Sequence, residues 1–144
     1  MNYEDLFVKT PRPLELTHYR LPNDIRQSVA WMDSSVIEGA CNAEVVMYKK
    51  PLDGPAAHVH EDTGEILGFF GTNPDDPTDL GGEIDFWFGE ELIKITKSGM
   101  FYIPPNVEHG PYKVVRVDTP IMHFVITPDR KFSMAKSMQG KDLK

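Results

Sequence analysis

Three histidines and a handful of carboxylates are the residues here with chemistry to offer. In Ala56–His60 the order Ala-Ala-His-Val-His reads as a strand, whose alternation puts Ala56, His58 and His60 on one face. Two imidazoles at i and i+2 then project side by side, a spacing suited to one ion. The turn-rich Glu61-Asp-Thr-Gly64 follows, and the chain resumes as Glu65-Ile-Leu-Gly-Phe-Phe. A hairpin at that turn would start Glu65 on a return strand beside the histidines. A further imidazole, His109, lies far downstream after Ile103-Pro-Pro-Asn-Val-Glu108, and a barrel would bring it across the interior. Three neutral imidazoles with one carboxylate make a borderline-hard site that suits one divalent Fe, Mn, Ni, Co or Zn ion.

The elements that must position these groups are short β-rich runs. Candidate strands are Leu14–Tyr19, Val29–Met32, Ala43–Lys49, Ala56–His60, Glu65–Phe70, Glu83–Phe88, Glu91–Thr96, Met100–Ile103, Tyr112–Val117 and Ile121–Thr127. Proline and glycine mark nearly every gap, as expected where proline cannot donate to a ladder. Helix signals are thin: one turn at Tyr3–Lys9 and a short C-terminal helix at Phe132–Met138. The polar stretch Gly71–Gly82 reads as a solvated hairpin loop. Its three aspartates lack the ligand alternation of a calcium loop.

The two histidine-bearing stretches together resemble a known family. Gly54–Gly71, with its HxH, short gap and glutamate, looks like the first cupin motif. Gly99–His109 looks like the second, whose core is a PxGxxH turn. The resemblance implies His58, His60, Glu65 and His109 as metal ligands. It departs at Asn106, which stands where the family usually has glycine; asparagine tolerates the left-handed conformation better than most residues. The interval from Gly99 to Pro104 is one residue short, and Gly71 is one residue early. Among rival carboxylates, alternation points Glu61 away from the histidine face and Asp62 falls in the turn, so Glu65 is preferred.

The implied fold is all-β, a double-stranded β-helix or jelly-roll barrel with little helix. One domain covers residues 1–144: an N-terminal arm and strands over 1–40, a barrel core over 41–128 and a tail over 129–144. The resemblance further implies a homodimer, with Leu14–Tyr19 and an apolar sheet face as the contact. It also implies a metal-dependent enzyme acting on a small organic molecule, in the range of dioxygenases, isomerases and lyases. The alternative is a non-catalytic module that binds or senses a small acid or sugar.

Other residues divide between packing and function. His123 shares a strand face with Ile121 and Val125, so it is either a satisfied core histidine or, if its strand lines the barrel, a proton-transfer group beside the metal. His18 is similar but less well placed. Tyr102 is a candidate catalytic hydroxyl of the pocket, with its strand face unassigned. Ile84, Phe86 and Phe88 form a core face, opposite Trp87. Cys41, the single cysteine, lacks an activating pattern.

Charge and length narrow the class. The 144 residues suit one domain, and a net charge of −7 with a pI near 5.1 repels phosphate backbones and anionic lipid. Neither nucleic acid nor membrane is therefore expected as a partner; a small-molecule substrate or ligand is. The N-terminal MNYEDLFVKTPRPLEL has no apolar core of a secretory signal, and no apolar run nears the roughly 20 residues of a membrane helix. With no disulfide available, a cytoplasmic location is the expectation.

Overall fold

A computed structural model describes residues 2–17 and 20–128. After two short 3-10 turns, Tyr3–Leu6 and Leu14–Leu16, the described residues form nine strands. They are β1 (Arg26–Met32), β2 (Asn42–Tyr48), β3 (Leu52–Asp53), β4 (Glu65–Gly71), β5 (Asp79–Phe88), β6 (Glu91–Lys97), β7 (Gly99–Ile103), β8 (Tyr112–Val117) and β9 (Ile121–Thr127). The all-β expectation holds. The ladders form two facing antiparallel sheets, ordered β1-β2-β9-β4-β7 and β3-β8-β5-β6, rather than one continuous cylinder. No described helix is long and apolar enough to cross a membrane.

Alternation explains the core. Val46 and Tyr48 of β2, Leu67 and Phe69 of β4, Ile84 and Phe86 of β5, Val114 of β8 and Ile121 of β9 meet between the sheets, all buried. Phe88 packs against this cluster, so the Ile84, Phe86 and Phe88 face is inward as read from the sequence. Burying such side chains contributes about 1.5–3 kcal/mol each. Gly71 shows how tightly β4 passes into the next element: a Cβ there would run into the carbonyl of Asp79.

Several sequence expectations shift. The strand expected over Leu14–Tyr19 does not begin as one: Leu14–Leu16 is a 3-10 turn, following Pro13, which cannot donate to a ladder. Tyr19, like His18, lies outside the described residues, as do Phe132–Met138 and the tail over 129–144. β5 begins at Asp79, inside the stretch read as loop. The two-residue β3 is too short to register as a periodic pattern. Ala56–His60 is not a ladder strand either. It makes one isolated bridge, His58 with His109, which concerns the site directly.

Candidate metal centre

The two histidine-bearing stretches are tied at the histidines themselves. His58 N donates to His109 O and His109 N to His58 O, both at 3.0 Å, and Asn106 N donates to His60 O at 2.8 Å. Asn106 adopts φ 67°, the left-handed turn that glycine or asparagine supplies most easily, so the departure from the family pattern preserves the turn. Both stretches border the β3–β8 edge of the second sheet. Glu65, by contrast, opens β4 in the first sheet, where its partners are β7 and β9. The hairpin expected between Ala56–His60 and Glu65 is therefore absent. The carboxylate reaches the imidazoles from the facing sheet.

The resulting cluster is tight. The ligand-capable nitrogens of His58, His60 and His109 lie within 4.8 Å of one another. Glu65 Oε1 is 3.3 Å from His109 Nε2, and Oε2 is 3.5 Å from His60 Nε2. His60, Glu65 and His109 are buried and His58 is half-buried, whereas Glu61 and Asp62 are exposed. Gly64 lets the chain turn beneath the ring of Tyr102, which a Cβ would strike.

Hydrogen bonding sets the tautomers. Nδ1 of His58 donates to Ala56 O at 2.7 Å, and Nδ1 of His109 donates to Val107 O at 2.9 Å. A carbonyl only accepts, so each proton sits on Nδ1, and in the neutral ring Nε2 is left as a lone pair. Burial, followed by the neighbouring His109 and His60, pushes His58 down to about 4, so it is neutral near pH 7. Burial alone would raise the Glu65 carboxyl. When they carry protons, the imidazoles of His109, His60 and His58 outweigh it, and the group lies below its ordinary range.

Two other residues singled out in the sequence lie elsewhere. His123 is buried level with Phe69, four residues along β4 from Glu65, or roughly 13 Å at strand rise. Its ring is stacked between Phe69 (4.5 Å) and Tyr48 (5.4 Å), with Nδ1 donating to Gly68 O at 2.8 Å. Burial drives its pKa down to about 4. His123 is thus a satisfied core histidine rather than a group beside the metal cluster. Tyr102 alternates with inward-facing Phe101 and Ile103, is 64% exposed, and lies over Gly64 on the outer side of β7. The pocket-hydroxyl assignment fails on that strand face.

The sequence reading missed a polar wall on the first sheet. Asn42 and Glu44 point inward in phase with Val46 and Tyr48. Arg12 reaches in from the N-terminal arm, its Nη2 3.3 Å from Asn42 Oδ1 and its Nε 3.7 Å from Glu44 Oε1. The guanidinium lies over Trp31, whose Nε1 also donates to Asn42 Oδ1. Polar residues in phase with an apolar strand face were the available signal.

Comparison with known proteins bears on the fold. No family model and no curated protein matches the chain. Among solved structures, an oxalate oxidase in complex with the substrate analogue glycolate is similar, at 18% identity and a TM-score of 0.52 over 88% of this chain and 61% of its own. A variant of Bacillus subtilis oxalate decarboxylase is similar at 15% identity and a TM-score of 0.52, over 79% of this chain and 29% of its own. KdgF from Halomonas sp. shares 17% identity at a TM-score of 0.48, over 83% of this chain and 94% of its own. The fold is a cupin fold.

Within this cupin fold the donor set fits a divalent ion. Among the described residues His109 Nε2 is buried without a hydrogen-bond partner and faces a carboxylate oxygen, so in the neutral ring two acceptors oppose each other at 3.3 Å. With the ring neutral such a pair repels, and either a proton shared between the two atoms or a metal cation bound by both relieves it.

Proposed function

We propose that this chain is a metal-dependent cupin acting on a small organic molecule, with one divalent transition metal held by His58, His60, Glu65 and His109. The observation that carries the reading is the opposed acceptor pair of His109 Nε2 and Glu65 Oε1, buried in a cluster of three imidazoles. An ion bound there supplies Lewis acidity or an oxygen-activating centre. The protein's own part is orientation. The carbonyls of Ala56 and Val107 fix the His58 and His109 rings, Glu65 brings the one formal charge, and burial of three of the four groups limits water. Fe, Mn, Ni, Co and Zn all suit this mixed N/O set. Elemental analysis of the purified protein should find one such ion per chain. Protein that takes up no metal on incubation with Mn(II), Fe(II), Co(II), Ni(II) or Zn(II) would refute the assignment.

One observation favours a second reading, a module that binds or senses a small acid or sugar without turnover. Both side chains considered for proton transfer, His123 and Tyr102, sit away from the cluster. Ligand binding by the metal-loaded protein with unchanged ligand recovered after long incubation would support the module; released product would support the enzyme.

A further inference from the structure

The polar strip that leads away from the histidine cluster holds a buried hydroxyl with no hydrogen-bond partner among the described residues. Thr127 pairs with Asn42 across β2 and β9. Extending the β4–β9 register one step past Ile66 and Ile126 places Thr127 beside Glu65. Glu65, Thr127 and Asn42 therefore form one inward row over three strands, and all three are at least nine-tenths buried. Thr127 Oγ1 is buried and has no hydrogen-bond partner among the described residues. A buried hydroxyl without a partner is costly, and natural strands seldom keep one without cause. At the far end of the row Asn42 Oδ1 accepts from Trp31 Nε1 and Arg12 Nη2, and the Arg12 side chain is only 11% exposed. Adjacent strands are about 4.8 Å apart, so the row spans roughly 10 Å from Glu65 to Asn42. That is the length of a small molecule.

We infer that Thr127, with Arg12 and Asn42 beyond it, is the recognition wall of the metal site, and that it selects a small monocarboxylate carrying a second oxygen. This rests on the metal reading above. Charge decides the class. A divalent ion beside one carboxylate and three neutral imidazoles leaves one positive charge, and Arg12 and Arg26 against Glu44 and Asp33 add none, so a monoanion balances the site. The hydroxyl of Thr127 both donates and accepts, which suits a ligand presenting a carboxylate oxygen next to an alcohol or carbonyl.

The test uses the full chain loaded with Mn(II), with lactate as probe and propane-1,2-diol as its neutral counterpart. Binding is read by paramagnetic broadening of the methyl proton signal, and Mn(II) affinity separately by competition with a chelator. The parent should bind lactate and leave the diol unbound. Thr127→Val removes the hydroxyl at nearly constant shape and should weaken lactate about tenfold or more, the scale of a lost hydrogen bond to a charged group. Thr127→Ser should restore binding to within about threefold of the parent, since it regains that same bond. Mn(II) affinity should be the same in all three proteins. Equal lactate affinity in Thr127→Val and the parent, equal binding of the diol, or a parallel loss of Mn(II) affinity would each overturn the inference. Mn(II) bound without lactate by the parent refutes the wall alone; no Mn(II) binding by the parent refutes the wall and the metal reading together.

Discussion

Glu65→Gln should move two properties in opposite directions. The parent places Glu65 Oε1 3.3 Å from a histidine nitrogen whose proton sits on the other side of the ring. Glutamine keeps the shape and one oxygen but offers an amide donor, which can give His109 Nε2 the hydrogen bond it lacks. At alkaline pH, where the imidazoles are neutral, gaining one buried hydrogen bond and losing one buried charge should stabilise the metal-free protein by about 1–2 kcal/mol. For a chain of this size that raises Tm by about 3–8 °C. Metal affinity should fall. A divalent ion and a unit charge about 3 Å apart interact by roughly 11 kcal/mol at an effective dielectric near 20. With about three quarters of that cancelled by lost hydration and reorganisation, the loss is about a hundredfold for any ion sited among these groups. Thermal unfolding of chelator-treated protein gives the first quantity, and competition with a chelator gives the second. Glu61→Gln, at an exposed position, serves as the control and should change neither. A Glu65→Gln protein that melts lower without metal, or that holds metal as tightly as the parent, would refute the reasoning from opposed acceptors.

The remaining predictions concern the imidazoles, the core and the surface. His58→Ala and His109→Ala should each end stoichiometric metal binding, measured by elemental analysis after gel filtration; full occupancy in the double variant would refute the ligand assignment. His123, held near 4 in the fold against 6.5 unfolded, binds a proton only on unfolding between those values. Its stabilising effect is therefore complete above 6.5 and is lost as pH falls towards 4, about 2 kcal/mol of it between pH 7 and 5. In urea unfolding of metal-free protein, where His58 adds a like loss, the fall in stability should be smaller by about 2 kcal/mol in His123→Phe than in the parent; an equal loss in both would contradict the core assignment. Tyr3, Phe7 and Leu14 expose large apolar faces on the N-terminal arm, and together with the family resemblance they lead us to expect a homodimer. Light scattering at the 16.3 kDa of one chain across micromolar concentrations would contradict it.

Strands with strict alternation were the legible part of the fold. Tyr112–Val117 and Ile121–Thr127 coincide with β8 and β9, because a period of two bounded by proline has few other solutions. Ala56–His60 has the same surface pattern and yet is no ladder strand. Alternation describes which way side chains point; it says nothing about whether the backbone finds a partner. Here that partner is one residue of a distant loop, His109. The Leu14–Tyr19 error has the same root: apolar content was visible, but Pro13 and the turn after it decide the backbone.

The site was legible as a set of residues and illegible as an arrangement. Imidazoles at i and i+2, a later glutamate and a distant histidine point to one ion by type and spacing. The route by which Glu65 arrives, from the sheet opposite the histidines, depends on β4 pairing with β7 and β9, contacts far apart in sequence that no local pattern encodes. The same limit hid the polar wall. Arg12, Asn42 and Thr127 are separated by most of the chain, and each alone reads as a solvated polar residue. Only the register of β2, β9 and β4 turns them into a row ending at Glu65. His123 and Tyr102 failed for the complementary reason. Each has a chemically capable side chain, but one lies roughly 13 Å too deep along β4 and the other on the outer face of β7. In a two-sheet fold, depth and face decide whether a titratable side chain joins the chemistry or packs as an aromatic ring.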